Sequence, residues 1–205
     1  MLDSRSDPMA QVLLVCTGNI CRSPMAEGLL RSALQRRLGD GAPRVASAGT
    51  IARDGARAMP EAVEAATDLG ADISGHSARR LRPEHVREAG LIVALAAEHQ
   101  EDIVGLDPEA EARTFTLKEL VRLLETSHPR PLDAPRADGL LAGRVADAHR
   151  RRADSPASRR DEDVMDPLGL SLEGYRAVAR ELEDLCERLA GGLYDGSAIA
   201  SGRAD

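Results

Sequence analysis

The run Val12-Leu13-Leu14-Val15, followed at once by Cys16-Thr17-Gly18-Asn19-Ile20-Cys21-Arg22-Ser23-Pro24, constrains the fold more than any other stretch of the chain. A short β-branched run reads as a strand buried on both faces, and this one ends on a cysteine. Ser23-Pro24 then opens an amphipathic helix to about Leu38, with the serine as hydroxyl cap and the proline at the first helical position, where no hydrogen bond is lost. Strand, tight loop and helix in this order put a thiol at the strand's end and the Arg22 guanidinium at the mouth of the helix. Gly18 and Asn19 tolerate positive φ, which a loop uses to turn successive N–H groups inward. The amides of residues 17–22, with a helix N-terminus behind them, form a ready oxyanion site. The same positive field favours a thiolate, the form of cysteine that attacks. The loop therefore reads as a place where sulfur meets phosphate.

The rest of the chain supplies the scaffold such a loop requires. Residues 44–47 read as a second strand and 50–59 as a loop. Residues 60–69 form a helix closed by Gly70, which suits the left-handed position after a helix. A short helix at 83–89 precedes the continuous apolar run Leu91-Ile92-Val93-Ala94-Leu95, a third buried strand. Residues 98–104 read as helix and 112–115 as a fourth strand. Thr116-Leu117-Lys118-Glu119 is a capping-box pattern that starts the next helix. Leu172, Tyr175, Val178, Leu182, Leu185 and Leu189 fall at helical spacing in a final helix. Strands alternating with helices predict an α/β fold, a four-stranded parallel sheet flanked by helices in one Rossmann-like domain. Ligands of such sheets sit beyond the carboxyl ends of the strands, where Cys16 falls.

Residues 126–160 differ in character. Pro129, Pro131 and Pro135 open the interval, and Arg150-Arg151-Arg152 and Arg159-Arg160 make it basic. Leu140, Leu141, Val145 and Ala148 suit one short amphipathic helix, but the composition reads first as a solvated, partly disordered insertion. Residues 1–9 and 191–205 read as disordered tails around a domain at 10–190.

Composition removes several function classes. A net charge of −7 on 205 residues argues against a nucleic-acid binder. No stretch approaches a membrane span, and three cysteines, one needed as a thiol, fit a reducing cytoplasm better than a disulfide framework. The five histidines are scattered without metal-ligand spacing, so neither metal nor cofactor is expected. Phe115, Tyr175 and Tyr194 are the only aromatic residues, so the core must be built from Leu, Val, Ile and Ala.

The segment from Cys16 to Pro24, extended by Met25-Ala26-Glu27, resembles the loop C-x-G-N-I-C-R-S-P of the low-molecular-weight protein-tyrosine phosphatases. Ser47-Ala48-Gly49, Gly75-His76 and Asp166-Pro167 follow in that family's order. The resemblance covers most of 11–190 outside 126–160. It implies a single phosphatase domain that hydrolyses phosphate monoesters through a cysteinyl-phosphate, with a phosphorylated protein as substrate and partner and a monomer as the working form. Cys16 is then the nucleophile, and Thr17, Gly18, Asn19, Ile20, Cys21 and Arg22 cradle the phosphate. Arg22 presents a planar fork that matches two phosphoryl oxygens, as lysine cannot. Asp166 matches the family's general acid, although Asp166-Pro167 alone reads as a turn before a helix. Asp161, Glu162 and Asp163 beside it read as a solvated charge run. Ser23, Asn19, Ser47 and His76 resemble the support network: Ser23 donates to Cys16, and the Asn19 side chain bonds Ser47 and His76. Cys21 is either a redox partner of Cys16 or a loop-lining thiol, and Cys186 packs in the core.

Two departures concern specificity. Phosphotyrosine enzymes of this family usually carry aromatic residues after Asp-Pro, where this chain has Leu168, and residues 50–57 contain none either. The segments 115–119 and 166–171 resemble a bacterial branch that includes protein-arginine phosphatases, but those have threonine where this chain has Ile20. The leading reading is a phosphotyrosine phosphatase, with a phosphoarginine phosphatase as the alternative. A thiol-dependent arsenate reductase would need two further cysteines, and residues 79–100 contain none. A non-catalytic phosphate-binding module would need neither Cys16 nor Asp166.

Overall fold

The structure is a computed structural model that describes residues 11–126, 137–153 and 162–194. The expected tails fall largely outside them. Four strands, β1 (Gln11–Cys16), β2 (Arg44–Gly49), β3 (Leu91–Ala94) and β4 (Thr114–Thr116), form a parallel sheet in the order β2-β1-β3-β4. The central strand β1 pairs with β2 through Cys16↔Gly49 and with β3 through Val15↔Ala94. The alternation of β1 divides the core. Val12, Leu14 and Cys16 face the helices α1 (Arg22–Leu38), α2 (Pro60–Asp68), α5 (Leu117–Glu125), α6 (Ala137–Arg152) and α7 (Leu172–Tyr194). Leu13 and Val15 face α3 (Pro83–Glu88) and α4 (Ala97–Leu106). Helices on both faces make the two central strands, β1 and β3, read as near-continuous apolar runs.

Local sequence chemistry sets several boundaries. Gly70, at φ 77°, ends α2 with a paired closure in which its N–H reaches Thr67 O and that of Ala71 reaches Ala66 O. Thr116 accepts the Glu119 N–H at 3.2 Å while the Glu119 carboxylate accepts the Thr116 N–H at 3.3 Å, a complete capping box.

Three expectations are corrected. Helix α1 begins at Arg22 with Cys21 as its cap residue, and Ser23 does not cap it, because its hydroxyl is turned toward Cys16. Within 126–160, α6 is a well-packed helix with Leu140 and Leu141 completely buried, which contributes about 1.5–3 kcal/mol for each side chain. Arg152 fastens its end, stacking 4.2 Å from the Phe115 ring centroid and pairing with Glu119 at 2.8 Å. Helix α7 runs through Gly191 and Gly192 to Tyr194, because Leu193 and Tyr194 are both buried against the core.

Candidate active site

Cys16 ends the central strand, and residues 17–21 turn the chain from β1 into α1. Neighbouring backbone holds this loop: Thr50 N–H donates to Cys16 O, Ile51 N–H to Thr17 O and Met59 N–H to Ile20 O. At Gly49, alongside, an added Cβ would lie 2.6 Å from Thr17 O and 2.8 Å from Asn19 N, so only glycine lets β2 approach so closely. Asn19 alone among the described non-glycine residues has positive φ, at 53°. Gly18 does not use the left-handed region, so the reversal of the loop falls on Asn19.

That residue is completely buried and fully partnered. Its amide donates to Ser23 Oγ and Ser47 Oγ, both at 2.8 Å, and its Oδ1 accepts the Arg79 N–H at 2.8 Å. His76 bonds the backbone carbonyl of Asn19 at 2.8 Å and not its side chain, which corrects that part of the expected network. Ser47 donates onward to Glu27 at 2.6 Å. Cys16 Sγ receives the Asn19 N–H at 3.3 Å and meets Ser23 Oγ at 2.9 Å. Both contacts suit a negatively charged sulfur.

The Arg22 guanidinium, only 5% exposed, donates to Val164 O at 3.2 Å, Thr17 Oγ1 at 3.2 Å and Asp166 Oδ2 at 2.6 Å. The Asp166 side chain is 45% exposed, so this pair sits at the edge of solvent. Its other oxygen accepts the Leu168 N–H at 3.0 Å and folds the Asp166-Pro167 turn. The chain leading into Asp166 is anchored by the carboxylates expected to be a solvated run. Glu162 pairs with Arg122 at 2.8 Å, Asp163 accepts the Ala97 N–H at the start of α4 at 2.7 Å, and Val164 N–H donates to Leu95 O. Their charge concealed these partners, which lie far away in sequence. Asp161 lies outside the described residues.

Sequence reasoning missed two further side chains. His99, 1% exposed, places Nε2 2.9 Å from Thr17 Oγ1, and burial together with the Arg22 charge pulls its pKa down to about 4. Tyr175 OH lies 3.4 Å from Cys21 Sγ. Burial pushes the Cys21 thiol up to about 11; the bond to Tyr175 opposes this, and the charges of Asp166 and Cys16 add to it. Cys16, Cys21 and Cys186 are all free thiols, and Cys186 is buried near Ala26 O. Neither His99 nor Tyr175 belongs to a local motif, and only the packing of α4 and α7 brings them to the loop.

The cleft above Cys16 measures ≈ 220 Å³ and is lined by Thr17, Gly18, Ile20, Cys21, Arg22, Ile51, Asp166 and Leu168. Its walls are aliphatic. Among the described residues, no three metal-ligating side chains come together and no helix is long and apolar enough to cross a membrane. The arrangement offers one tetrahedral oxyanion a backbone cradle, a guanidinium, a sulfur behind it and a carboxyl group at the mouth.

The comparisons agree with this geometry. Residues 11–137 match the model of the family described as low molecular weight phosphotyrosine protein phosphatase. A protein-arginine-phosphatase of Geobacillus stearothermophilus is 32% identical over 180 residues, 88% of this chain and 93% of that one. A probable low molecular weight protein-tyrosine-phosphatase, EpsP of Ralstonia solanacearum, is 40% identical over 109 residues, 53% of this chain and 71% of its own. A solved YwlE arginine phosphatase with a phosphorylated active-site serine is 30% identical at a TM-score of 0.67, covering 91% of this chain and 97% of its own. The chain belongs to the low molecular weight phosphotyrosine protein phosphatase family.

Proposed function

We propose that this phosphatase removes phosphate from phosphotyrosine in protein substrates. Cys16 Sγ attacks phosphorus in line with the leaving oxygen, an S–P bond forms as the P–O bond breaks, and Arg22 carries the equatorial charge. Protonated Asp166 gives its proton to the departing phenolate oxygen. As carboxylate it then takes a proton from the water that breaks the S–P bond, releasing phosphate and the Cys16 thiolate. Arg22 holds either the Asp166 carboxylate or a phosphoryl group, so substrate and acid compete for one guanidinium, and arrival of the dianion frees Asp166 to act. The Ser23 hydroxyl and the Asn19 backbone N–H steady the sulfur each time it becomes an anion.

The aliphatic enclosure of Ile20, Ile51 and Leu168 carries the choice of substrate. A phenyl ring gains burial against these walls, whereas a guanidinium loses water there and meets, among the lining residues, a single carboxylate, Asp166, which must also serve as the acid. A second reading, phosphoarginine hydrolysis by the same parts, is favoured by the arginine phosphatase matched along nearly its whole length. Measuring kcat/KM side by side on phosphotyrosine and phosphoarginine peptides of otherwise identical sequence separates the two. A preference for phosphotyrosine supports the proposal, and a preference for phosphoarginine replaces it.

A further inference from the structure

We infer that His99 is a positioning residue that makes the Thr17 hydroxyl a fixed hydrogen-bond donor to the bound phosphoryl group. This rests on the reading that the loop after Cys16 holds that group. Thr17 Oγ1 lies 3.2 Å from Arg22 Nη2, which can only donate, and 2.9 Å from His99 Nε2. The direction of the second bond decides where the hydroxyl proton goes.

The surroundings of the imidazole settle that direction. Nδ1 is buried and has no hydrogen-bond partner among the described residues, and Nε2 also lies 3.3 Å from Glu98 Oε1. A proton on Nδ1 would strand a buried N–H and turn the Nε2 lone pair toward a carboxylate. A proton on Nε2 bonds Thr17 Oγ1, turns its positive edge toward the Glu98 carboxylate and leaves only a lone pair unmet, the cheaper defect. His99 therefore donates. Burial and the neighbouring Arg22 charge keep the ring neutral, although Asp102, Asp163 and Asp166 pull the other way.

With Arg22 and His99 both donating, the two lone pairs of Thr17 Oγ1 are occupied. The hydroxyl proton is left to point elsewhere, and Thr17 lines the cleft beside Cys16, Arg22 and Asp166. A phosphoryl oxygen there receives one more donor than the backbone and Arg22 provide. Without His99, the hydroxyl regains a free lone pair and rotates, so the donor loses its aim.

The test uses the full chain, with p-nitrophenyl phosphate for kcat and KM and inorganic phosphate as competitive inhibitor. Thr17→Val should weaken phosphate inhibition and lower kcat/KM by roughly ten- to a hundredfold, the worth of a bond to a charged group. Thr17→Ser should retain most of both. His99→Leu should lose about tenfold, and His99→Gln, whose amide N–H replaces the Nε2 donor, should recover most of that loss. Thr17→Val/His99→Leu should be no worse than Thr17→Val alone, since His99 acts through Thr17. Should His99→Leu not fold, His99→Asn, whose shorter amide falls short of Thr17, takes its place against His99→Gln. Multiplying losses in the double variant, no rescue by glutamine, or unchanged phosphate inhibition in Thr17→Val would each overturn the inference. Absence of turnover in the unmutated protein would instead overturn the phosphatase reading.

Discussion

Asn19→Ala perturbs the point on which the whole loop turns. Asn19 is buried at φ 53° and makes three side-chain hydrogen bonds. Ser23 and Ser47 keep other partners in Cys16 and Glu27, so losing those two bonds costs about 1 kcal/mol each. The Arg79 N–H has no other partner among the described residues and adds about 1–3 kcal/mol. Alanine in the left-handed region adds about 1–2 kcal/mol more. The sum, about 4–7 kcal/mol, is an upper bound because the terms share partners, and about 3–5 kcal/mol is the expected loss. Asn19→Gly removes only the backbone part and should be about 1 kcal/mol more stable than Asn19→Ala. Urea unfolding of the three proteins with a common slope measures this directly. If alanine and glycine variants lie within about 0.5 kcal/mol of the unmutated protein, the loop is not held as described. If glycine is no better than alanine, the left-handed backbone is not a source of strain.

Asp166→Asn should lower kcat by roughly a hundredfold or more for phenyl phosphate and much less for an activated nitrophenyl leaving group. An equal loss across a leaving-group series would place the acid elsewhere. Ile20→Thr should shift the kcat/KM ratio toward phosphoarginine by roughly ten- to a hundredfold, measured on paired peptides, and an unchanged ratio removes Ile20 as the selector. His99 titrates at about 4 when folded against an ordinary 6.5, so the unfolded chain takes up its proton first as pH falls. Stability from its neutral burial is complete above about pH 6.5 and should drop by about 3 kcal/mol toward pH 4. Urea midpoints across that range should fall less steeply for His99→Gln, and parallel curves would refute the assignment.

What the sequence disclosed was mostly local. The strand and loop around Cys16, the closure at Gly70 and the capping box at Thr116 each follow from neighbouring residues, and each stands in the structure. Long-range pairings stayed hidden. The buried stripe of α6 is interrupted by Arg144, itself buried, and followed by three arginines, so it read as solvated. Glu162 and Asp163 looked like a solvated charge run until Arg122 and the start of α4 supplied partners. Likewise Ser23 has the right chemistry for a cap, but the sulfur seven residues back is the nearer claimant on its hydroxyl. His99 and Tyr175 are isolated residues whose reach to the loop depends on helix packing alone.

The central claim is that the phosphoryl group passes through sulfur. Asp166→Ala slows breakdown of such an intermediate, so rapid acid quench during turnover of a radiolabelled phosphotyrosine peptide, followed by peptide mapping, captures it. The account predicts label on Cys16 and none in Cys16→Ala, which should also fail to turn over substrate. Label on another residue, or turnover by Cys16→Ala, would contradict it.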